Sequence, residues 1–159
     1  MIPAEHIPSF RKNYLVCGLP DTVIDQVAEL AEFGACAANE AMVARGATGS
    51  DLYVILDGRV NVLSPQGDKL ADAGPGSLVG EVALVDDQPR SADVVALGLT
   101  KYARLPAGEL RKYMAQNREV GFVMLANLAR VLSMRLRNAS VVLEDLKEKA
   151  SQDPWKYAM

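Results

Sequence analysis

The sequence predicts a mainly β domain, a sandwich or barrel of short strands with helices at both ends. Between residues 33 and 105, short apolar segments alternate with turn residues, which is typical of antiparallel β proteins. On either side of this region, apolar residues recur at the three- and four-residue spacing of amphipathic helices. These two patterns together predict the fold class.

The first thirty residues predict one defined helix. Residues 1–18 contain two prolines and are expected to be irregular or weakly helical. Leu19-Pro20-Asp21 is predicted to open a helix, because proline suits a helix entry. Apolar residues then recur at helical spacing, at Val23, Val27, Leu30 and Ala31.

The middle of the chain predicts eight short strands. The candidate strands are 33–37, 41–45, 52–56, 59–63, 69–73, 77–80, 92–97 and 100–105. Glycine-containing turns separate several of them, at Asp57-Gly58, Gln66-Gly67-Asp68, Gly74-Pro75-Gly76 and Leu97-Gly98.

After Pro106 the apolar period becomes helical again, which predicts a short helix at 107–116 and a long one at 119–149. A mainly apolar stripe follows the long helix through Leu125, Leu128, Leu132, Arg135, Ala139, Val142 and Leu146. The chain is therefore divided into an N-terminal segment (1–18), one domain that includes the long helix (19–150), and a tail with Trp155 (151–159).

Composition excludes several classes of protein. Half of the 159 residues are apolar and 23% are charged, as in an ordinary globular domain. The net charge of −3 and the pI of about 5.2 argue against direct nucleic-acid binding, which requires Lys and Arg to neutralise phosphates. No stretch approaches the ~20 apolar residues of a membrane span, and no secretory signal is recognisable.

The few cysteine and histidine residues do not form a metal or catalytic motif. Cys17 and Cys36 are too few for a disulfide framework, so reduced thiols and a cytoplasmic location are expected. His6 is the only histidine, so no metal site or Cys/His nucleophile is predicted. Asp86 and Asp87 are adjacent in a turn and point apart, which argues against paired-carboxylate catalysis.

Residues 79–92 carry the strongest functional pattern. Gly80 permits close backbone approach, and a short helix is predicted over 81–86. Glu81 offers acceptor oxygens suited to a ribose hydroxyl, and Arg90 offers a planar fork of donors that fits phosphate oxygens. This combination predicts a pocket for a sugar phosphate.

The same stretch resembles the phosphate-binding cassette of cyclic nucleotide-binding domains, as in catabolite activator proteins and the regulatory subunits of cAMP-dependent protein kinase. A second family motif lies upstream, in Met42-Val43-Ala44-Arg45-Gly46, Gly49, Leu52-Tyr53-Val54-Ile55 and Gly58. The resemblance covers residues 20–148. It implies a β jelly roll (a double-stranded β-helix) with N-terminal helices and a long C-terminal helix.

The resemblance also implies roles for the cassette residues. Arg90 would pair with the exocyclic phosphate and Glu81 would accept from the ribose 2′-hydroxyl. The backbone N–H groups of Val82, Ala83 and Ser91 would complete the phosphate cradle, while Gly80 and Ala92 keep space for the ligand. The alternative is that Glu81 and Arg90 form a surface ion pair with each other, contributing ~0–1 kcal/mol.

Base recognition is predicted at the strand positions Val62 and Leu70 and at the long helix. Ser140 falls where the helix of this family offers a hydroxyl to adenine, although Ala139 departs from the pattern; Asn138 and Arg137 are weaker candidates. Ser91 resembles the residue of the bacterial family members that bind cAMP, whereas a threonine there would favour cGMP, so the resemblance implies a preference for cAMP.

The function implied is a non-catalytic sensor of a cyclic purine mononucleotide, with cAMP as the favoured ligand. The long helix would transmit binding to a partner or attached domain, and its stripe predicts a homodimer, although Arg135 weakens the seam. Arg130, Arg135, Arg137, Lys147 and Lys149 are expected to be a solvated flank.

Three alternatives remain open: a ligand-free protein-interaction module of the same fold, a cGMP sensor, and a cyclic dinucleotide sensor. Family activators continue into a helix-turn-helix reader, which about ten further residues could not hold. The sequence is therefore expected to be a stand-alone sensor or an excised regulatory domain, with an unidentified protein effector.

Overall fold

The computed structural model describes residues 1–151, so the predicted tail with Trp155 lies outside the described residues. Within residues 1–151 there are eight strands, each close to a predicted one: β1 Glu32–Cys36, β2 Ala41–Val43, β3 Leu52–Asp57, β4 Val60–Leu63, β5 Lys69–Ala73, β6 Leu78–Val79, β7 Asp93–Ala96 and β8 Thr100–Leu105. They form two antiparallel sheets, in the orders β1-β8-β3-β6 and β2-β7-β4-β5. The predicted jelly roll with flanking helices is confirmed.

Strand β3 connects the two parts of the core. Leu52, Val54 and Leu56 pack with the helices, whereas Ile55 packs with Val60 of the other sheet. Side chains alternate across a strand, so one strand can supply both clusters. This accounts for the unbroken apolar run of β3, which is buried on both faces.

The N-terminal segment is helical and contributes to the core. It contains two 3₁₀ turns, Ala4–His6 and Tyr14–Val16, and the short helix α1, Ile7–Arg11. Pro8 lies in the first turn of α1, where proline removes no intrahelical hydrogen bond. Phe10 and Leu15 are buried in the part of the core that also contains Leu52 and Val54, together with residues of helix α2, Asp21–Glu29.

A short helix α3, Glu81–Asp86, lies between β6 and β7, and two helices follow the strands, α4 at Ala107–Gln116 and α5 at Arg118–Ser151. The first turns of α5 are held in place, because Met124 and Leu128 are buried and Asn127 donates to the Leu15 carbonyl at 3.1 Å. The later turns project beyond the roll, and their apolar residues, such as Leu143, are exposed. None of the helices within residues 1–151 combines the length and apolar character that a membrane span requires.

Candidate ligand-binding site

A cavity of about 520 Å³ lies between the β4–β5 side of the roll, a short helix α3 (Glu81–Asp86) and helix α5. Helix α3 has the predicted bounds. Nine of the ten predicted site residues line the cavity, namely Val62, Leu70, Gly80, Glu81, Val82, Ala83, Arg90, Ser91 and Ala92. The structure thus places in one cavity residues that the sequence assigns to a phosphate end and a base end.

Gly80 is required by both conformation and space. It is the residue before α3 and has φ +83°, a region that residues with a Cβ rarely adopt. A Cβ there would lie 2.8 Å from Nη1 of Arg90 and 3.0 Å from the Asp51 carbonyl oxygen. Glycine therefore permits the arginine to lie against the start of α3.

Arg90 is buried, with 8% of its surface exposed. Its Nη1 donates to the Gly80 carbonyl at 3.1 Å and its Nη2 donates to the Asp51 carbonyl at 2.7 Å. These acceptors are neutral, so they orient the guanidinium without neutralising its charge. The charge is thus held beside the start of α3, where helical N–H groups lack intrahelical partners.

The backbone of Arg90 explains why the two sequence motifs belong to one site. Its N–H donates to the Ala47 carbonyl at 3.0 Å, and its carbonyl accepts from the Gly46 N–H at 2.8 Å. Nearby, the Arg45 N–H donates to Oδ1 of Asp93 at 2.7 Å. The upstream Arg45-Gly46 motif therefore supports the segment that presents the guanidinium.

Glu81 lies in the cavity wall with only 3% of its surface exposed, and its carboxylate forms an ion pair with Arg135 of α5. Arg90 has other partners, so the alternative of a Glu81–Arg90 surface pair is wrong. Because Glu81 is buried, the Glu81–Arg135 pair matters for the stability of the fold. A buried carboxylate without its partner would lower the free energy of unfolding strongly.

Sequence reasoning missed Arg135 as a member of the site. The expectation of a solvated flank residue is wrong for this arginine, because it lines the cavity and pairs with Glu81. Its side chain is 53% exposed, so it covers the cavity from the solvent side. The one signal that could have identified it is a charged residue within an otherwise apolar stripe.

The helix residues proposed for the base are placed differently from the prediction. Ser140 does not line the cavity; its hydroxyl donates to the Leu136 carbonyl at 3.0 Å within α5. Asn138, the weaker candidate, does line the cavity, whereas Arg137 does not. The register of α5 causes this difference, because residues two positions apart on a helix do not share a face.

The end of the cavity formed by strands is apolar and open. Val62 on β4 is half-buried, and Leu70 on β5 is 63% exposed. Val94 on β7 and Leu78 on β6 contribute buried apolar surface to the lining. A flat aromatic group could contact this wall, while the charged groups lie at the α3 end.

Tyr14 lies outside the cavity lining, but its phenol is influenced by the charge of Arg135. Burial raises the pKa of its phenol to about 12, although the positive charge of Arg135 acts in the opposite direction. Its hydroxyl is buried and has no hydrogen-bond partner among the described residues. The phenol is therefore neutral at physiological pH and packs against the core within electrostatic range of Arg135.

Comparison with known proteins agrees with this geometry. Residues 35–117 match the family model described as the cyclic nucleotide-binding domain. The chain is 34% identical over 119 residues to the cyclic AMP receptor protein of Thermus thermophilus, a match that covers 72% of this chain and 53% of the relative. It is also 32% identical over 107 residues to glutaminase 2 of Bradyrhizobium diazoefficiens, covering 67% of this chain and 17% of that protein. The chain thus spans about half of the first relative and a small part of the second.

Solved structures give the same result. A cyclic nucleotide-binding domain from Methylobacillus flagellatus superposes with a TM-score of 0.76 at 26% identity, covering 89% of this chain and 82% of that one. The catabolite activator protein of Thermus thermophilus superposes with a TM-score of 0.75 at 27% identity, covering 85% of this chain and 63% of that one.

Proposed function

This chain belongs to the family of cyclic nucleotide-binding domains, and we propose that it senses a cyclic purine mononucleotide, preferably cAMP, without catalysing a reaction. The observation that carries the proposal is the arrangement of Gly80, Glu81 and Arg90 around one cavity. A buried guanidinium and a buried carboxylate at one end of an apolar cavity match a ligand that has an anion, a neighbouring hydroxyl and a flat base.

Arg90 is suited to the phosphate. A guanidinium has five N–H groups, and the two hydrogen bonds to carbonyls leave three for a ligand. A phosphate that accepts from them would neutralise a buried charge, and charge-assisted bonds of this kind are about twice as strong as neutral ones. The singly charged phosphate of a cyclic mononucleotide matches Arg90, because the other guanidinium in the cavity, that of Arg135, is paired with Glu81.

Glu81 is suited to the ribose 2′-hydroxyl, and its ion pair suggests how binding reaches helix α5. A ribose that donates to Glu81 would alter the environment of Arg135, which α5 carries. The ligand would then shift the balance between two positions of α5 by the difference in its affinity for them. An effector protein or an attached domain would respond to that shift.

The preference for cAMP is supported by two observations. Ser91 stands at the cavity where a threonine would favour cGMP, and the relative from Thermus thermophilus is named a cyclic AMP receptor protein. The competing ligands are cGMP and a cyclic dinucleotide. The competing function is a protein-interaction module that binds no nucleotide.

We also propose a homodimer through α5. This helix has 34 residues and is therefore about 51 Å long, longer than the roll can cover. Leu136, Val142, Leu143 and Leu146 are exposed on its second half, which is the part that a second copy would bury. Sedimentation analysis of the chain and of Leu143→Glu tests this directly. If α5 forms the dimer, a glutamate in the buried helix face should dissociate the variant into monomers, and an unchanged dimer would contradict the proposal.

A thermal-shift experiment tests the ligand. The chain is melted alone and with cAMP, cGMP, a cyclic dinucleotide and 5′-AMP, which retains the base but lacks the cyclic phosphate. At a hundredfold excess over Kd, binding adds about 2.7 kcal/mol of stability, or roughly 5–10 °C in Tm. We expect the largest shift with cAMP and little with 5′-AMP. No shift with any nucleotide would favour the interaction module.

A further inference from the structure

A second cavity, an open groove of about 520 Å³, lies between α3, α4 and the first turns of α5. Among residues 1–151, none lines both this groove and the candidate ligand-binding cavity. The apolar walls of the groove include Phe122, which is 74% exposed, and Val85 and Leu125, which are more than half exposed. A small-molecule pocket buries most of its ligand, whereas exposed apolar walls of this kind mark a surface that a larger partner covers.

The groove has the composition of a protein–protein contact. Its lining contains one aromatic residue, Phe122, one methionine, Met114, and two arginines, Arg111 and Arg118. Within the described part of the chain, no Lys, Asp or Glu lines it. The centres of protein interfaces are likewise enriched in aromatic residues, Met and Arg and depleted of Lys, Asp and Glu. The lining therefore favours a segment of another protein as the occupant.

The charge of the groove indicates the chemistry of that partner. Arg111 is already bound, because it donates to the Leu84 carbonyl at 2.7 Å and pairs with Asp87 at 2.8 Å. Arg118 is exposed and forms no ion pair within residues 1–151. It is also the first residue of α5, where the helix dipole disfavours a positive charge. A carboxylate on the partner would neutralise this arginine, on a chain whose net charge is −3.

An amphipathic helix fits the shape of the groove. Three helices form its walls, and a helix that lies in such a groove buries the apolar residues at positions i, i+3, i+4 and i+7. Phe122 and Leu125 are three positions apart on one face of α5, so they offer a continuous apolar contact. The homodimer proposed above uses Leu136, Val142, Leu143 and Leu146, and none of these lines the groove.

We infer that this groove is a docking surface for an amphipathic helix of a partner protein, with a carboxylate of that helix paired with Arg118. The short helix α3 borders the ligand-binding cavity at Val82 and the groove at Val85. A docked partner would therefore contact an element of the nucleotide site. The identification of this partner as the effector rests on the proposed function, but docking itself requires no nucleotide.

The test uses two designed peptides of about 15 residues, because shorter helices are marginal in water. Both carry leucines at positions i, i+3, i+4 and i+7; one has glutamates beside this apolar face and the other has lysines. Each is titrated into the full chain without nucleotide, and the backbone amide signals are followed by NMR. The acidic peptide should shift the signals of residues 114–125 and bind about tenfold more tightly than the basic one, because only it can pair with Arg118.

Two variants locate the contact, and the chain offers a matched control for each. Arg118→Glu should weaken the acidic peptide by about tenfold and strengthen the basic one, whereas Phe122→Ala should weaken both. Arg137→Glu changes another exposed arginine of α5, and Leu99→Ala changes a leucine that is 66% exposed in the β7–β8 turn. Neither residue lines the groove, so both controls should leave the affinities unchanged. All four side chains are exposed, and melting curves check that the variants fold.

Binding of neither peptide, equal affinity for the two, or signal shifts confined to other parts of the chain would overturn the inference. Sedimentation analysis of Phe122→Ala addresses a second copy of the chain as the occupant. If this substitution alone converts a dimer into monomers, the groove joins two copies and the inference is wrong. A failure of every nucleotide to bind would refute the proposed function and leave the peptide result unaffected.

Discussion

The two ends of the cavity are built differently. At the α3 end, Arg90 and Glu81 are almost completely buried, and Arg90 is oriented by two backbone carbonyls. At the end formed by strands and α5, Leu70 is 63% exposed, and Ser140 turns its hydroxyl into its own helix. The first end is defined before a ligand arrives, and the second depends on where α5 lies.

This difference separates two properties of a sensor. Affinity for a phosphate and its sugar would come from groups that a short segment of chain holds in place, at little conformational cost on binding. Selectivity for the base, and the signal, would come from α5, whose last turns project beyond the roll. Four predictions address this division.

The largest effect is expected at Arg90. Arg90→Ala should weaken binding of cAMP by ~2–5 kcal/mol, because the phosphate would then be buried without its countercharge. Arg90→Lys keeps the charge but loses the planar fork, so its loss should be smaller. Isothermal titration measures both, with melting curves to confirm folding. Equal affinity of the chain and Arg90→Ala would remove Arg90 from the site.

The next effect concerns Gly80. Gly80→Ala and Gly67→Ala both place a Cβ at positive φ, +83° and +88°, which costs about 1–2 kcal/mol. Nothing lies within 4 Å of the added Cβ at Gly67, whereas at Gly80 it meets Arg90 and the Asp51 carbonyl. Gly80→Ala should therefore lose a further ~1–3 kcal/mol of unfolding free energy and also bind cAMP more weakly. Urea unfolding compares the variants, and similar losses in the two would contradict the steric argument.

A smaller effect is expected at the base end. Asn138→Ala should change cAMP binding by about 0.5–1.5 kcal/mol, the net contribution of one hydrogen bond, and should alter the ratio of cAMP to cGMP affinity. Ser140→Ala should leave both unchanged, because its hydroxyl is directed to Leu136. Competition titration with the two nucleotides decides between them. The reverse result would mean that α5 rotates when ligand binds.

The smallest effect is a pH dependence from Tyr14. Its pKa of about 12 in the folded chain exceeds the ordinary value of 10, so the folded state keeps a proton that the unfolded state releases between these values. Stability is therefore unaffected below pH 10 and falls as the pH rises towards 12, by roughly 1 kcal/mol after allowance for partial exposure. Tyr14→Phe should reduce this fall. Urea unfolding at pH 9 and pH 11.5 measures it, and parallel declines in both proteins would exclude Tyr14.

Much of the fold could be predicted because it depends on patterns of apolar and turn residues over short stretches of the sequence. Short apolar segments between turn residues located all eight strands, the change of period after Pro106 located α4 and α5 to within a few residues, and the pattern at Gly80 and Glu81 located α3. The phosphate end of the cavity is equally local, since Gly80, Glu81 and Arg90 lie within eleven positions. Residues 1–18 were harder, because short helices owe their stability to the core that Phe10 and Leu15 enter.

The sequence by itself determined the fold class and the family, and it predicted the groups that would bind a phosphate and a ribose. Only the tertiary structure decided that Arg135 pairs with Glu81 and that Asn138 and not Ser140 faces the cavity. The reason is physical: these contacts join elements separated by more than fifty residues. They depend on how α5 is rotated and positioned. Packing against the whole roll determines this, and no local sequence pattern indicates it.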